Sequence, residues 1–160
     1  MAEKIVVGIS DWKICKAPDM LITYALGSCI GTCIYDKLTG ISGLSHIMLP
    51  DSKAITDGHS TRMKFADTAI PDMVQEMRRR GASSGSLVAK IAGGAVMFQT
   101  TSGAFNIGER NIKAVKAALS SLGIPIIAED TGLNDGRTVT FIAENGSVEV
   151  SSAIKGKIYI

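Results

Sequence analysis

Residues Met20–Pro50 read MLITYALGSCIGTCIYDKLTGISGLSHIMLP. Three short apolar, β-branched runs stand in this stretch, at Met20–Leu26, Ile30–Tyr35 and Ile41–Leu49. Runs of four to eight such residues bounded by turn formers predict strands. Gly27-Ser28 breaks the first run from the second, and Pro50 stops the third. Asp36–Gly40, DKLTG, predicts a hairpin turn that pairs the last two strands antiparallel. The third run is apolar on both of its faces, so it belongs to a strand covered on both sides.

Outward from this stretch, strands continue to dominate. Lys4–Ile9 predicts a strand ended by Ser10 and Asp11, and Lys13–Asp19 reads as a polar connection carrying Cys15. Ser52–Ser60 reads as a loop. A helix is expected over about Arg62–Arg80, because Phe65, Ala69, Ile70, Met73, Val74 and Met77 recur at three- and four-residue spacing. Arg78, Arg79 and Arg80 suit its C-terminal turn and Gly81 its cap. Pro71 implies either a kink or a start at Thr68. Leu87–Ala92 predicts a strand punctuated by Gly93-Gly94, and Thr100–Gly103 a loop. A second helix is expected over Asn106–Leu122, with Ile112, Val115, Leu119 and Leu122 on one face. Ile124–Ala128, Arg137–Ala143 and Ser147–Val150 complete the strands. Strands in runs, interrupted by two helices, imply an α+β fold over a single domain spanning residues 1–160.

Composition narrows the function classes. A chain of 160 residues with 46% hydrophobic and 20% charged residues is not a disordered one. The net charge of +2 calls for neither nucleic acid nor an anionic membrane. Three cysteines, an odd number, do not make a disulfide framework; reduced thiols point to the cytoplasm. No run approaches the roughly 18 apolar residues of a membrane span. A monomer is the default expectation.

Phosphate chemistry has little support. There is no GxxxxGK[ST] pattern, and Ala92-Gly93-Gly94-Ala95 reads as a bend between strands. Asn106–Asn111 opens a helix, where either ordinary capping or an anion fits. Cys29, Cys33, His46 and His59 lack the paired spacing of a structural zinc site. A thiol and an imidazole remain. Cys29 follows a Gly27-Ser28 turn, a setting that exposes a nucleophile and aims backbone N–H groups at one point. His46 lies inside an apolar strand and needs hydrogen-bond partners there. Such an imidazole would take the thiol proton and return it to a leaving group. Thr23, six residues before Cys29, is the candidate for orienting the imidazole from a shared strand face. Ser28 and Ser45 flank the pair as supporting hydrogen-bonding groups. The plainer alternatives are a core histidine at position 46 and a small buried hydrophobe at position 29. Cys33 reads as a packing residue, Cys15 has no nearby histidine in sequence, and His59 sits in a polar loop.

Ala25-Leu26-Gly27-Ser28-Cys29 followed by Gly43-Leu44-Ser45-His46-Ile47-Met48-Leu49-Pro50 resembles the CheD family of chemotaxis proteins. The resemblance continues through Lys64–Ala69, Lys90–Ala95, Met97-Phe98, Asn106–Asn111 and Ala128–Gly132, and so covers nearly the whole chain in order. It implies a three-layer β/β/α sandwich like that of the deamidating cytotoxic necrotizing toxins. It also implies a Cys–His–Thr triad, with Cys29 as nucleophile, His46 as base and Thr23 as the orienting group. The implied reaction converts glutamine side chains on the cytoplasmic helices of chemoreceptors to glutamate, with no cofactor and no metal. A CheC-type phosphatase is an implied partner, and a binding module that regulates such a phosphatase is the rival reading. A cysteine protease is a third, for which no main-chain groove is suggested. One departure stands out: Leu133 follows Asp130-Thr131-Gly132 where the family often has a second glycine. It bears on that turn and not on the triad.

Overall fold

The computed structural model describes residues 2–54, 62–96 and 106–160. Among the described residues, ten strands form two five-stranded mixed sheets, and two α-helices accompany them, so the fold class is α+β. The first sheet runs in the order β1 (Lys4–Val6), β3 (Met20–Leu26), β8 (Arg137–Ile142), β9 (Ser147–Ser152), β10 (Gly156–Tyr159). The second runs β2 (Trp12–Lys16), β5 (Ile41–Ile47), β4 (Ile30–Asp36), β6 (Leu87–Gly93), β7 (Ile126–Thr131). All pairings are antiparallel except β1 with β3 and β6 with β7. The β6–β7 pair is joined by a crossover that includes α2 (Ile107–Ser121), as a parallel pair requires.

Strand alternation separates two cores. Ile30 and Ile34 on β4, Ile47 on β5 and Ile91 on β6 pack against Ile70, Met73 and Met77 of α1 (Ala66–Arg79) and Val115 and Leu119 of α2. The intervening residues Cys33, Leu44 and Ala92 turn to the first sheet and meet Leu21, Leu26, Val139 and Phe141. The second sheet is thus covered on both faces, and every residue of β5 is buried.

The hairpin is present as predicted, with Ile30 opposite Ile47 and Tyr35 opposite Ser42. The first strand stops at Val6, short of the expected Ile9, and Ser10 adopts a left-handed φ of 58°. The stretch read as a polar connection holds all of β2 but its first residue, Trp12; the strand pairs along β5 and buries Cys15 between the sheets. Its lysines sit at an exposed sheet edge, where charge is expected and the apolar pattern is weak. β10 is a second edge strand that the sequence reading lacks, for the same reason. The first helix starts at Ala66, preceded by a separate single turn at Arg62–Lys64, and runs through Pro71 without a break. The loops expected over Ser52–Ser60 and Thr100–Gly103, with His59 and Met97-Phe98, lie wholly or largely outside the described residues; Ser52–Ala54 is a single 3₁₀ turn.

Candidate active site

The chain leaves the first sheet at Leu26 and enters the second at Ile30, so Gly27–Cys29 is the crossing between sheets. Each of the three successive carbonyls of the crossing accepts a hydrogen bond. The Ala95 N–H donates to Gly27 O at 2.9 Å and the Gly94 N–H to Cys29 O at 2.9 Å. The side-chain amide of Asn111, on α2, donates to Ser28 O at 2.9 Å. Gly93 is required beneath the turn: its φ is 111°, and a Cβ there would lie 2.2 Å from Cys29 O.

His46, wholly buried on β5, pairs with Gly31 on β4. Position 31 faces the first sheet closely enough that a Cβ would sit 3.1 Å from Leu26 Cδ1. Cys29, in the bend two residues before Gly31, packs against the inter-sheet core. Thr23 comes from the opposing sheet. Its Oγ1 is 2.7 Å from His46 Nδ1 and 2.7 Å from the Val7 carbonyl. A hydroxyl has one proton, and a carbonyl can only accept. Thr23 therefore donates to Val7 and accepts from Nδ1–H, which leaves the lone pair of His46 on Nε2. That nitrogen is buried and has no hydrogen-bond partner among the described residues, the Cys29 thiol included. Burial lowers the His46 pKa to about 4 and raises that of the Cys29 thiol. The resting pair is a neutral imidazole and a protonated thiol.

Cys29 is half-buried, whereas Cys15 and Cys33 are buried. Burial first, and Asp19 second, push the Cys15 thiol up to about 11. Burial pushes Cys33 higher still, against an opposing effect of Lys90.

The structure brings Thr23 and His46 into contact, but by a different route from the one the spacing suggested. Thr23 and Cys29 do not share a strand face: Thr23 is on β3, whereas Cys29 lies in the crossing that follows the end of that strand. Gly27 and Ser28 contribute carbonyls to the anchoring of the turn. Ser45 is not part of this cluster. It alternates with His46, sits opposite Thr32 and faces the helices, and its Oγ has no partner among the described residues. Asn111 is the residue that the sequence reading did not single out. It lies on the buried stripe of α2 with Gly108, Val115 and Leu119, and a polar residue at a core position of a helical repeat is the signal that marks it. Asn106, the other asparagine of the Asn106–Asn111 segment, caps α2: its side chain accepts from the Glu109 N–H at 3.1 Å.

A buried ion network borders the site. Arg137 pairs with Asp130 at 3.0 Å and donates to Gly132 O at 2.9 Å, and the Gly132 N–H donates to Gly93 O at 2.9 Å. Burial alone would raise the Asp130 pKa, but Lys155 and Arg137 together hold it below the usual value. Leu133 adopts φ 59° and its carbonyl accepts from the Val96 N–H at 2.8 Å. Among the described residues, no three His, Cys, Asp or Glu side chains cluster as metal ligands. No described helix is long and apolar enough to cross a membrane.

Residues 48–152 match the family model for CheD chemotactic sensory transduction. A protein of Caldanaerobacter subterraneus subsp. tengcongensis is 48% identical over 163 aligned positions, spanning 100% of both chains. One of Moorella thermoacetica is 52% identical over 151, covering 91% of this chain and 89% of its own. One of Lachnoclostridium phytofermentans is 47% identical over 157, covering 97% of each. All three are named probable chemoreceptor glutamine deamidase CheD. The family match begins beyond Thr23, Cys29 and His46, while the first of these relatives aligns along the whole chain. With identity near one half over essentially its full length, this chain belongs to the CheD family.

Proposed function

We propose that this protein is a chemoreceptor glutamine deamidase, a cysteine hydrolase that converts receptor glutamine side chains to glutamate. The observation that carries the reading is the hydrogen-bond order Val7–Thr23–His46. It leaves a proton-accepting Nε2 on the side of β5 that faces the first sheet, where the half-buried Cys29 thiol packs against the inter-sheet core. Cys29 is the nucleophile, His46 the base and acid, and Thr23 the group that fixes the imidazole tautomer. Nε2 takes the Cys29 proton as sulfur bonds to the carboxamide carbon and the carbonyl electron pair moves to oxygen. The tetrahedral species collapses, the C–N bond breaks, and nitrogen leaves as ammonia with the proton from His46. Water, deprotonated by His46, then attacks the thioester. Glutamate is released and the thiol is restored. No cofactor enters this sequence.

The two sheets with helices over one of them support the finer reading of a β/β/α sandwich like that of the deamidating toxins, in one domain. The identity of the named relatives supports cytoplasmic receptor helices as the substrate. The test is mass spectrometry of a chemoreceptor cytoplasmic fragment incubated with the protein, beside a Cys29→Ser control. A glutamine-to-glutamate shift that requires Cys29 is expected. Its absence with folded protein and a receptor from the same organism overturns the assignment.

A further inference from the structure

Asn111 spends a core position on a polar group. It is wholly buried, its Nδ2 donates to Ser28 O at 2.9 Å and Met48 O at 3.0 Å, and its Oδ1 has no partner among the described residues. Both amide protons are used, and both acceptors are main-chain carbonyls, so the side-chain orientation is fixed. A leucine would fill the stripe of α2 without leaving a buried acceptor unpaired. The two carbonyls are informative. Ser28 immediately precedes Cys29, and Met48 lies two residues after His46. One side chain therefore ties the nucleophile turn to the end of the strand that carries the base.

The anchoring also sets the direction of the peptide groups. In a trans peptide the C=O and the following N–H point opposite ways. Gly27 O is drawn toward Ala95 and Ser28 O toward Asn111. The Ser28 N–H must then point away from Ala95, and the Cys29 N–H away from Asn111 on α2. Neither N–H has an acceptor among the described residues. Two adjacent, unpaired N–H groups at a nucleophile are suited to a developing oxyanion.

We infer that Asn111 is a positioning residue for the reaction: by holding the Ser28 carbonyl toward α2 it presents the Cys29 N–H, beside that of Ser28, to the substrate oxygen. This rests on the deamidase reading above. When sulfur bonds to the carboxamide carbon, the electron pair displaced onto oxygen is received by these two donors. It returns to carbon as ammonia leaves.

The test compares the full-length wild type with Asn111→Asp and Asn111→Ala. Ammonia release from a chemoreceptor cytoplasmic fragment gives kcat and KM, and iodoacetamide reports Cys29 alkylation. Alkylation at a saturated carbon forms no oxyanion and does not need the donor pair. Asn111→Asp, nearly isosteric, sets carboxylate oxygens against two carbonyls; Asn111→Ala is the second variant if the first does not fold. The expected result is a kcat lowered by roughly 10²-fold, the scale of one lost oxyanion donor, with KM and Cys29 alkylation within about threefold of wild type. Alkylation that falls in step with kcat makes Asn111 a packing residue and overturns the inference, as does misfolding of both variants. An active wild type whose folded variants keep kcat within about threefold overturns the inference alone. A wild type that releases no ammonia overturns the deamidase reading and this inference with it.

Discussion

At the scale of single residues, the proposed triad has a hydroxyl, held in the Val7–Thr23–His46 order, do what a carboxylate does in other triads. It fixes the tautomer but brings no negative charge, so it supports the imidazolium less. Thr23→Val keeps the shape, removes the acceptor for Nδ1–H and leaves the Val7 carbonyl without its donor. We expect kcat to fall by about tenfold to 10²-fold with KM little changed, and Thr23→Ser to retain most activity, read by ammonia release. The two pKa directions carry a second prediction. A thiol raised by burial beside an imidazole lowered to about 4 is not a resting ion pair. Cys29 alkylation should climb steadily as pH rises above 7. A plateau reached below pH 7 would mean a preformed thiolate and contradict this geometry. Thr23 was legible as a residue but not as a geometry. Even spacing suggested a shared strand face, whereas contact arises across two sheets, and the change of sheet at Gly27 has no signature in local periodicity. Asn111 was marked only by being polar inside the apolar stripe of its helix.

Of the non-glycine residues with a left-handed φ, Ala25 lies within β3, and Ser10 and Leu133 lie between elements. Leu133 stands with φ 59°, a conformation that costs a leucine on the order of 1–2 kcal/mol relative to glycine. The residue is 58% exposed, so burial returns little of that cost. Leu133→Gly should therefore raise the free energy of unfolding by roughly 0.5–1 kcal/mol in urea titration, after the entropy gained by the unfolded chain is subtracted. A decrease would mean that the leucine side chain makes a folding contact worth more than the strain. Gly93→Ala should act oppositely, because its Cβ would displace the Cys29 carbonyl and with it the anchored turn. Loss of ammonia release is expected even where the variant folds. The strands of the central stretch and both helices were legible because their apolar periods are strong. β2 and β10 were not, because an edge strand mixes lysine and polar residues into a short segment and takes its structure from a neighbour.

Across the whole molecule, burying a neutral histidine between two sheets makes stability depend on mild acid. The His46 pKa falls from 6.5 in the unfolded chain to about 4 in the fold. Below pH 6.5 the unfolded chain gains a proton that the native state does not, so stability falls as pH drops from 6.5 to about 4 and this contribution levels off below. The shift corresponds to roughly 3 kcal/mol over that window. Other groups act lower. Burial would raise the pKa of Asp36, but hydrogen bonds from Ser86, Ser83, Thr39 and Leu38 hold it at about 2. Its stabilisation is therefore complete above pH 3.8 and is lost only as pH falls through 2. The two windows barely overlap, which makes the histidine step measurable. His46→Gln removes the titrating group and retains an amide that can still face Thr23. Urea unfolding of wild type and variant at pH 7 and pH 4.5 cancels the carboxylates common to both. The wild type should lose about 2 kcal/mol more than the variant between these pH values. Equal losses would place the His46 pKa near its unfolded value. The resting pair would then no longer be neutral at mildly acidic pH, and ammonia release would fall with an apparent pKa near 6.5 instead of persisting toward pH 4.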